Sequence, residues 1–253
     1  MSNLCLDCGK DHGIAGTVPG YESGRRLIAI VPPKCGTNLL LQYLHSPVHV
    51  RSYIGMIWKK DKPVNRNAVI CQLKRFPIYA FAHLAHLPEY VEALNEHPTK
   101  IIFMTRDPRD QIISQYHWVK RFVDKDMSEV QFQNGIELIE SEDPYLELIK
   151  AWDYRMSFFT PWLYEEGILR LTFEGLIKKP GEYLKKIRKF VQGTNAEGQI
   201  GGIAEMMGRN KPENSYTFRE GKAGGWKEVF KPHHNQLFNE LCADLMNEWG
   251  YEI

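Results

Sequence analysis

Leu27-Ile28-Ala29-Ile30-Val31-Pro32-Pro33-Lys34-Cys35-Gly36-Thr37-Asn38-Leu39-Leu40 is the stretch from which the rest of the chain is read. Residues 27–31 are apolar without alternation, the pattern of a strand buried on both faces of a parallel sheet. Two prolines end the run, a glycine follows, and apolar positions at Leu39, Leu40, Tyr43 and Leu44 mark a helix. Such a strand, turn and helix start make a general anion cradle. The first-turn N–H groups converge without intrahelical acceptors, and Gly36 admits close approach of the backbone. Lys34 adds a positive charge, and Thr37 and Asn38 add side-chain donors. The triphosphatase loop G-x-x-x-x-G-K-[ST] does not match, because lysine here precedes the glycine. The bland alternative is a proline-punctuated turn with a solvated lysine.

Outward from this turn, residues 68–73, 100–105 and 168–173 read as further strands. Helical patterns cover residues 88–97, 108–119, 144–162, 174–191 and 232–249. Strands alternating with helices predict an α/β fold with a central parallel sheet flanked by helices, in which ligands sit beyond the carboxyl ends of the strands. Residues 1–24 read as an N-terminal arm and 25–253 as a single domain. The chain has 253 residues with 43% hydrophobic content, enough for a large core. Its 32 basic and 31 acidic residues nearly cancel, so an anion site has to be local, and neither nucleic acid nor a membrane is the expected partner. The polar start of the chain shows no signal-like apolar segment, and no apolar run has the length of a membrane span; the expected location is cytoplasmic. Five scattered cysteines argue against a disulfide framework. Cys5 and Cys8 with His12 would make half a zinc site, but no second cysteine pair completes it, and no metal is expected.

The second informative segment is Arg106-Asp107-Pro108-Arg109-Asp110, directly after the clearest strand. Asp107 suits an N-cap, Pro108 the first helical position, and Asp110 a capping-box-like pattern. Arg106 is not explained by helix-start grammar; at a sheet edge its guanidinium would grip a phosphate bidentately. Ser114 would offer a hydroxyl to the same anion from two turns inside the helix, or fill a packing contact. His86, in His86-Leu87-Pro88, is a candidate general base, with His83 its rival.

Taken together, these segments resemble the cytosolic-type sulfotransferase family, which uses 3′-phosphoadenosine 5′-phosphosulfate (PAPS) and releases adenosine 3′,5′-bisphosphate (PAP). Pro33-Lys34-Cys35-Gly36-Thr37-Asn38-Leu39 resembles its 5′-phosphosulfate loop, and Arg106 and Ser114 have the spacing of its 3′-phosphate motif. His86-Leu87-Pro88 resembles the segment that carries the catalytic base. Leu171-Thr172-Phe173-Glu174-Gly175-Leu176 resembles a strand end whose aromatic contacts adenine. Phe218 through Lys227, with Arg219, Glu220 and Gly221, resembles the C-terminal segment that completes the 3′-phosphate pocket. Leu39 replaces a tryptophan of the pattern, Glu220 a lysine and Gly225 an aspartate.

The resemblance implies a P-loop-like sulfotransferase fold and in-line transfer of a sulfuryl group from PAPS to a hydroxyl or amine of a small-molecule acceptor. It implies His86 as base and Lys34 as the residue neutralising charge on the leaving oxygen. It also implies donor binding by Lys34, Cys35, Gly36, Thr37, Asn38, Leu39, Arg106, Ser114, Phe173, Arg219, Glu220 and Gly221. The alternatives are a catalytically idle nucleotide-binding or scaffold protein and an ATP-dependent small-molecule kinase. A homodimer is compatible with the sequence but not indicated by it. Residues 45–67 and 117–145, with Tyr53, Trp58, His117, Trp118 and Phe122, are expected to line the acceptor entrance.

Overall fold

The computed structural model describes residues 26–43, 52–54, 66–75, 79–123, 133–192 and 222–253. The apolar run of the opening stretch forms β1 (Arg26–Ile30), buried along its whole length. It pairs in parallel with β3 (Tyr79–Ala82) on one side and β4 (Thr99–Thr105) on the other. Ile28 faces Ala80 and Ile101 across these pairs. β2 (Ser52–Ile54) continues the sheet beyond β3, and β5 (Leu169–Thr172) beyond β4, giving the order β2-β3-β1-β4-β5. After β1 the chain goes to the edge at β2, returns to β3 beside β1, and then crosses to the other side of β1 at β4. The strand order therefore reverses between β1 and β4, and their carboxyl ends open the crevice where such sheets hold ligands.

The turn after β1 runs into α1 (Thr37–Tyr43), and that after β4 into α4 (Pro108–Val123). The other described helices are α2 (Arg66–Arg75), α3 (Pro88–Asn95), α5 (Gln133–Glu140), α6 (Pro144–Ser157), α7 (Phe173–Lys178), α8 (Pro180–Val191) and α9 (Pro232–Trp249). Trp152, Trp162, Phe159 and Phe238 fill the core between α6, α9 and the sheet, each almost wholly buried. Four indole and aromatic side chains of this size contribute roughly 1.5–3 kcal/mol each on burial.

Three expectations are corrected. Residues 68–73 are helical, not a strand: they lie in α2, where Val69 and Leu73 face the core one turn apart. A short apolar run cannot distinguish a buried helix from a buried strand. The strand beside β1 is instead Tyr79–Ala82, whose alanines Ala80 and Ala82 carry little β signal but pack against the crowded central strand. The expected helix over 144–162 stops at Ser157, and a separate 3₁₀ turn (Thr160–Leu163) takes Pro161 in its first turn. The expected helix over 174–191 is two helices, broken at Lys179, which leaves helical geometry before Pro180.

Candidate active site

The turn after β1 departs from ordinary backbone geometry. Lys34 has φ 67° and Gly36 φ 94°. A lysine in the left-handed region costs on the order of 1 kcal/mol or more, so the surrounding structure has to hold it there. Gly36 is required twice over: a Cβ on it would stand 2.4 Å from the Phe173 ring. Cys35 is fully buried, and its Sγ accepts a 2.8 Å hydrogen bond from Gln111 Nε2. Burial pushes this thiol well above its ordinary range, so it is an inert packing group. Gln111 is itself fully buried. Its amide also donates to the Arg106 carbonyl at 3.0 Å and accepts from Trp152 Nε1 at 2.9 Å, tying the core to both turns.

The Lys34 ammonium lies 5.3 Å from the centre of the Trp118 ring, within cation–π range. Burial, with Arg106 and Arg121 nearby, lowers its pKa to about 7. A cation crowded by two others is a place where an anion would be held.

Arg106 links the two turns. Its Nη1 donates to the Lys34 carbonyl at 3.1 Å, its Nη2 to the Lys222 carbonyl at 3.2 Å, and its guanidinium lies 4.2 Å over the Phe173 ring. Phe173 is thus packed between Gly36 and Arg106 and buried. The backbone of this second turn is held by carboxylates. Glu174 Oε1 accepts from Asp107 N–H at 3.0 Å, while Asp107 Oδ1 accepts from Arg109 N–H at 2.9 Å, as its N-cap reading expects. Burial raises the Glu174 pKa; its other oxygen accepts from the Tyr251 hydroxyl at 2.9 Å.

Asp110 does something other than cap the helix. Its carboxylate accepts from Gly224 N–H at 2.6 Å and from Trp226 N–H at 3.0 Å. Trp226 then lies 3.9 Å under the Arg109 guanidinium. A residue that reads as helix-start grammar is a long-range anchor for the C-terminal segment.

Ser114 is half-buried. It stands three residues after Gln111, which reaches Cys35, and four before Trp118, which lies beneath Lys34. That spacing puts Ser114 on the helix face turned toward the first turn.

The two histidines sit differently. His83 directly follows β3, and its Nδ1 contacts the Val31 carbonyl at the end of β1. A carbonyl only accepts, so Nδ1 carries the hydrogen, and in the neutral form of the ring Nε2 holds the lone pair. Burial, with a further contribution from Lys34, lowers the His83 pKa; the Val31 contact acts in the opposite sense. His86 instead sets its Nε2 against Glu165 Oε1 at 2.6 Å, and packs edge-on to Trp162 with ring centres 4.6 Å apart. Between them, the Leu84 carbonyl accepts from Trp162 Nε1 at 2.9 Å, and His86 N–H donates to the Phe158 carbonyl at 2.7 Å.

Of the remaining expected site residues, Thr37 and Leu39 lie half-buried and Asn38 exposed in the first turn of α1. Arg219, Glu220 and Gly221 fall outside the described residues, as do Cys5, Cys8, His12 and Trp58, and the side chains of Tyr53 and Phe122. Gln111, Glu174, Tyr251 and the long-range role of Asp110 are not found by sequence reasoning. The available signal is a glutamine directly before the apolar pair Ile112-Ile113. Elsewhere, Asp143 Oδ2 meets His233 Nε2 at 3.1 Å and His234 Nε2 at 2.8 Å. His234 Nδ1 accepts from Lys231 N–H, so its Nε2 carries a hydrogen and is not presented as a metal ligand.

A family model described as "Sulfotransferase domain" matches residues 25–250. Flavonol 3-sulfotransferase of Flaveria bidentis is 26% identical over 202 residues, which span 69% of this chain and 62% of that protein. Human sulfotransferase 2A1 is 24% identical over 251 residues, 88% of this chain and 86% of the relative. Among solved structures, mouse sulfotransferase SULT7A1 complexed with PAP superposes with a TM-score of 0.58 at 17% identity, covering 87% of this chain and 84% of that one. At that identity the superposition establishes the shared fold.

Proposed function

Because the chain belongs to the sulfotransferase domain family, we propose that it transfers the sulfuryl group of PAPS to a hydroxyl or amine of a small-molecule acceptor. The observation that carries this reading is the junction of the two turns, where Arg106 bonds the Lys34 carbonyl at 3.1 Å. It brings two anion-seeking cations, one on each turn, to one crevice between β1 and β4. A donor with phosphate groups on both its 3′ and 5′ sides fits such a pair, with Ser114 on the facing side of α4 and Arg219–Gly221 expected to complete the 3′ pocket. When bound, PAPS supplies the activated sulfuryl group.

The chemistry left to the protein is positioning and charge. The acceptor oxygen or nitrogen forms a new bond to sulfur while the bond from sulfur to the phosphate oxygen breaks. Lys34 neutralises the charge growing on that leaving oxygen, helped by N–H groups of the turn. The acceptor's proton goes to a histidine, and here the geometry favours His83 over the expected His86. His83 is fixed by Val31 with Nε2 as acceptor, in a position where the Lys34 charge helps keep it neutral. His86 has its Nε2 engaged by Glu165 and serves to hold the turn between β3 and α3. The cytoplasmic location expected from the sequence belongs to the same proposal; among the described residues no helix is long and apolar enough to cross a membrane.

The test is incubation with sulfur-labelled PAPS and a panel of phenols, alcohols and amines. Labelled product together with stoichiometric PAP is the expected outcome. Tight PAP binding without turnover of any acceptor would instead favour the idle nucleotide-binding reading.

A further inference from the structure

The α4 face that runs beneath the first turn does not stop at Lys34. Gln111, Ser114, Trp118 and Arg121 follow one another at spacings of three, four and three residues, so they line a single stripe. The stripe has a direction. Gln111 lies between the two turns, bonded to the Arg106 carbonyl and to Cys35, Ser114 comes next, and Trp118 lies under the Lys34 ammonium. Arg121 stands one helical turn beyond Trp118, roughly 4.5 Å further along the axis. From Ser114 it is about 10 Å further along, too far to share the 3′-phosphate with it. Arg121 is half-buried and, three residues after Trp118, stands on the side of α4 that passes under Lys34; its charge contributes to the lowered Lys34 pKa. A third cation on the far side of the transfer point from the donor's 3′ end lies where the acceptor has to enter.

We propose that Arg121 receives an anionic oxygen group of the acceptor, so that this enzyme sulfates hydroxyl or amine compounds that carry a carboxylate or phosphate about one ring's length from the reacting atom. The inference rests on the sulfuryl-transfer reading of the site. A guanidinium pairs such groups bidentately, which orients the acceptor as well as attracting it. An acid of this kind brings its own negative charge to a crevice where the charges of Arg106 and Arg121 both bear on Lys34. It would leave the hydroxyl at the sulfur and place the charge away from the donor.

The probes are 3-(4-hydroxyphenyl)propanoate, its phosphonate analogue and its neutral amide. Binding of each to the enzyme–PAP complex is measured by calorimetry, and turnover with PAPS separately. The expected result is at least tenfold preference for one or both anions over the amide, in Kd and in kcat/KM. The carboxylate and phosphonate arms then distinguish which anion the site favours. In Arg121→Gln the preference collapses to within about twofold, and in Arg121→Lys part of it returns. Equal binding of acids and amide by the wild type, or a preference that survives Arg121→Gln, overturns the proposal. So does an Arg121→Gln variant whose only change is a raised KM for PAPS, since Arg121 would then serve the donor. Anion-selective binding without any turnover would sustain Arg121 and sink the sulfuryl-transfer reading; turnover without selectivity would do the reverse.

Discussion

The turns after β1 and β4 are both strand-to-helix turns at the same sheet edge, yet they are built on opposite principles. The first bends through two positive-φ residues, Lys34 and Gly36, and carries the lysine proposed to act on the leaving oxygen. The second uses side chains to satisfy its own backbone: Glu174 takes the Asp107 N–H, and Asp107 takes that of Arg109. What it offers outward is the Arg106 guanidinium. A turn bent through left-handed backbone carries strain at its lysine; a turn whose N–H groups are taken up by carboxylates becomes a rigid mount for one side chain. The first should therefore govern turnover and the second affinity.

Four experiments sharpen or break that contrast. The largest effect is expected at His83, which is bonded to the strand that feeds the first turn. His83→Ala should lower kcat by about 10²- to 10⁴-fold. His86→Ala should keep kcat within about tenfold and show its loss as a lower melting temperature, since it removes the Glu165 and Trp162 contacts. The reverse pattern would return the base to His86.

Arg106→Ala should weaken PAP binding by roughly 10- to 100-fold, measured by calorimetry, with a smaller change in kcat at saturating donor. A dominant kcat effect would erase the distinction between the turns.

Lys34 gives the third test. Its amine titrates near 7 when no anion is bound, and a bound phosphate would raise that value. Binding then takes up a proton wherever the free amine is neutral, so PAP affinity should fall as pH rises, by roughly tenfold between pH 7 and 8.5. Calorimetry in buffers of different ionisation enthalpy would register the uptake, and Lys34→Met should abolish it. A flat profile in the wild type would show that Lys34 stays charged throughout.

Gly36→Ala is the fourth. The new methyl group meets the Phe173 ring at 2.4 Å and an unfavourable φ, so the protein should lose more than about 1 kcal/mol and several degrees of melting temperature. Phe173→Leu in the same background should recover part of the loss if the clash, rather than the dihedral angle, dominates.

Legibility along the chain followed how local the signal was. The central strand, the third strand over 100–105 and the C-terminal helix over 232–249 were readable because burial pattern and proline punctuation lie within a few residues. The strand Tyr79–Ala82 was not, since Ala80 and Ala82 are small to fit the neighbouring β1, a demand that comes from another part of the chain. In the site, Lys34, Gly36 and Arg106 announced themselves by type and place. Asp110 misled because the same residue serves a helix start and a distant backbone equally well, and only Gly224 and Trp226 reveal which.

The sequence alone marks the turn after a buried strand as a candidate anion cradle, because glycine, lysine and a helix start lie close together there. It also sets the triphosphatase motif aside, because residue order is a local property and lysine here precedes the glycine. Tertiary structure decided which histidine meets the Val31 carbonyl and which the Glu165 carboxylate, how Arg106 joins the two turns, and that Trp118 lies under Lys34. Those depend on which carbonyl or carboxylate stands opposite each ring or guanidinium, and the groups concerned come from strands and helices up to a hundred residues or more apart, brought together only by the crossing from β3 to β4.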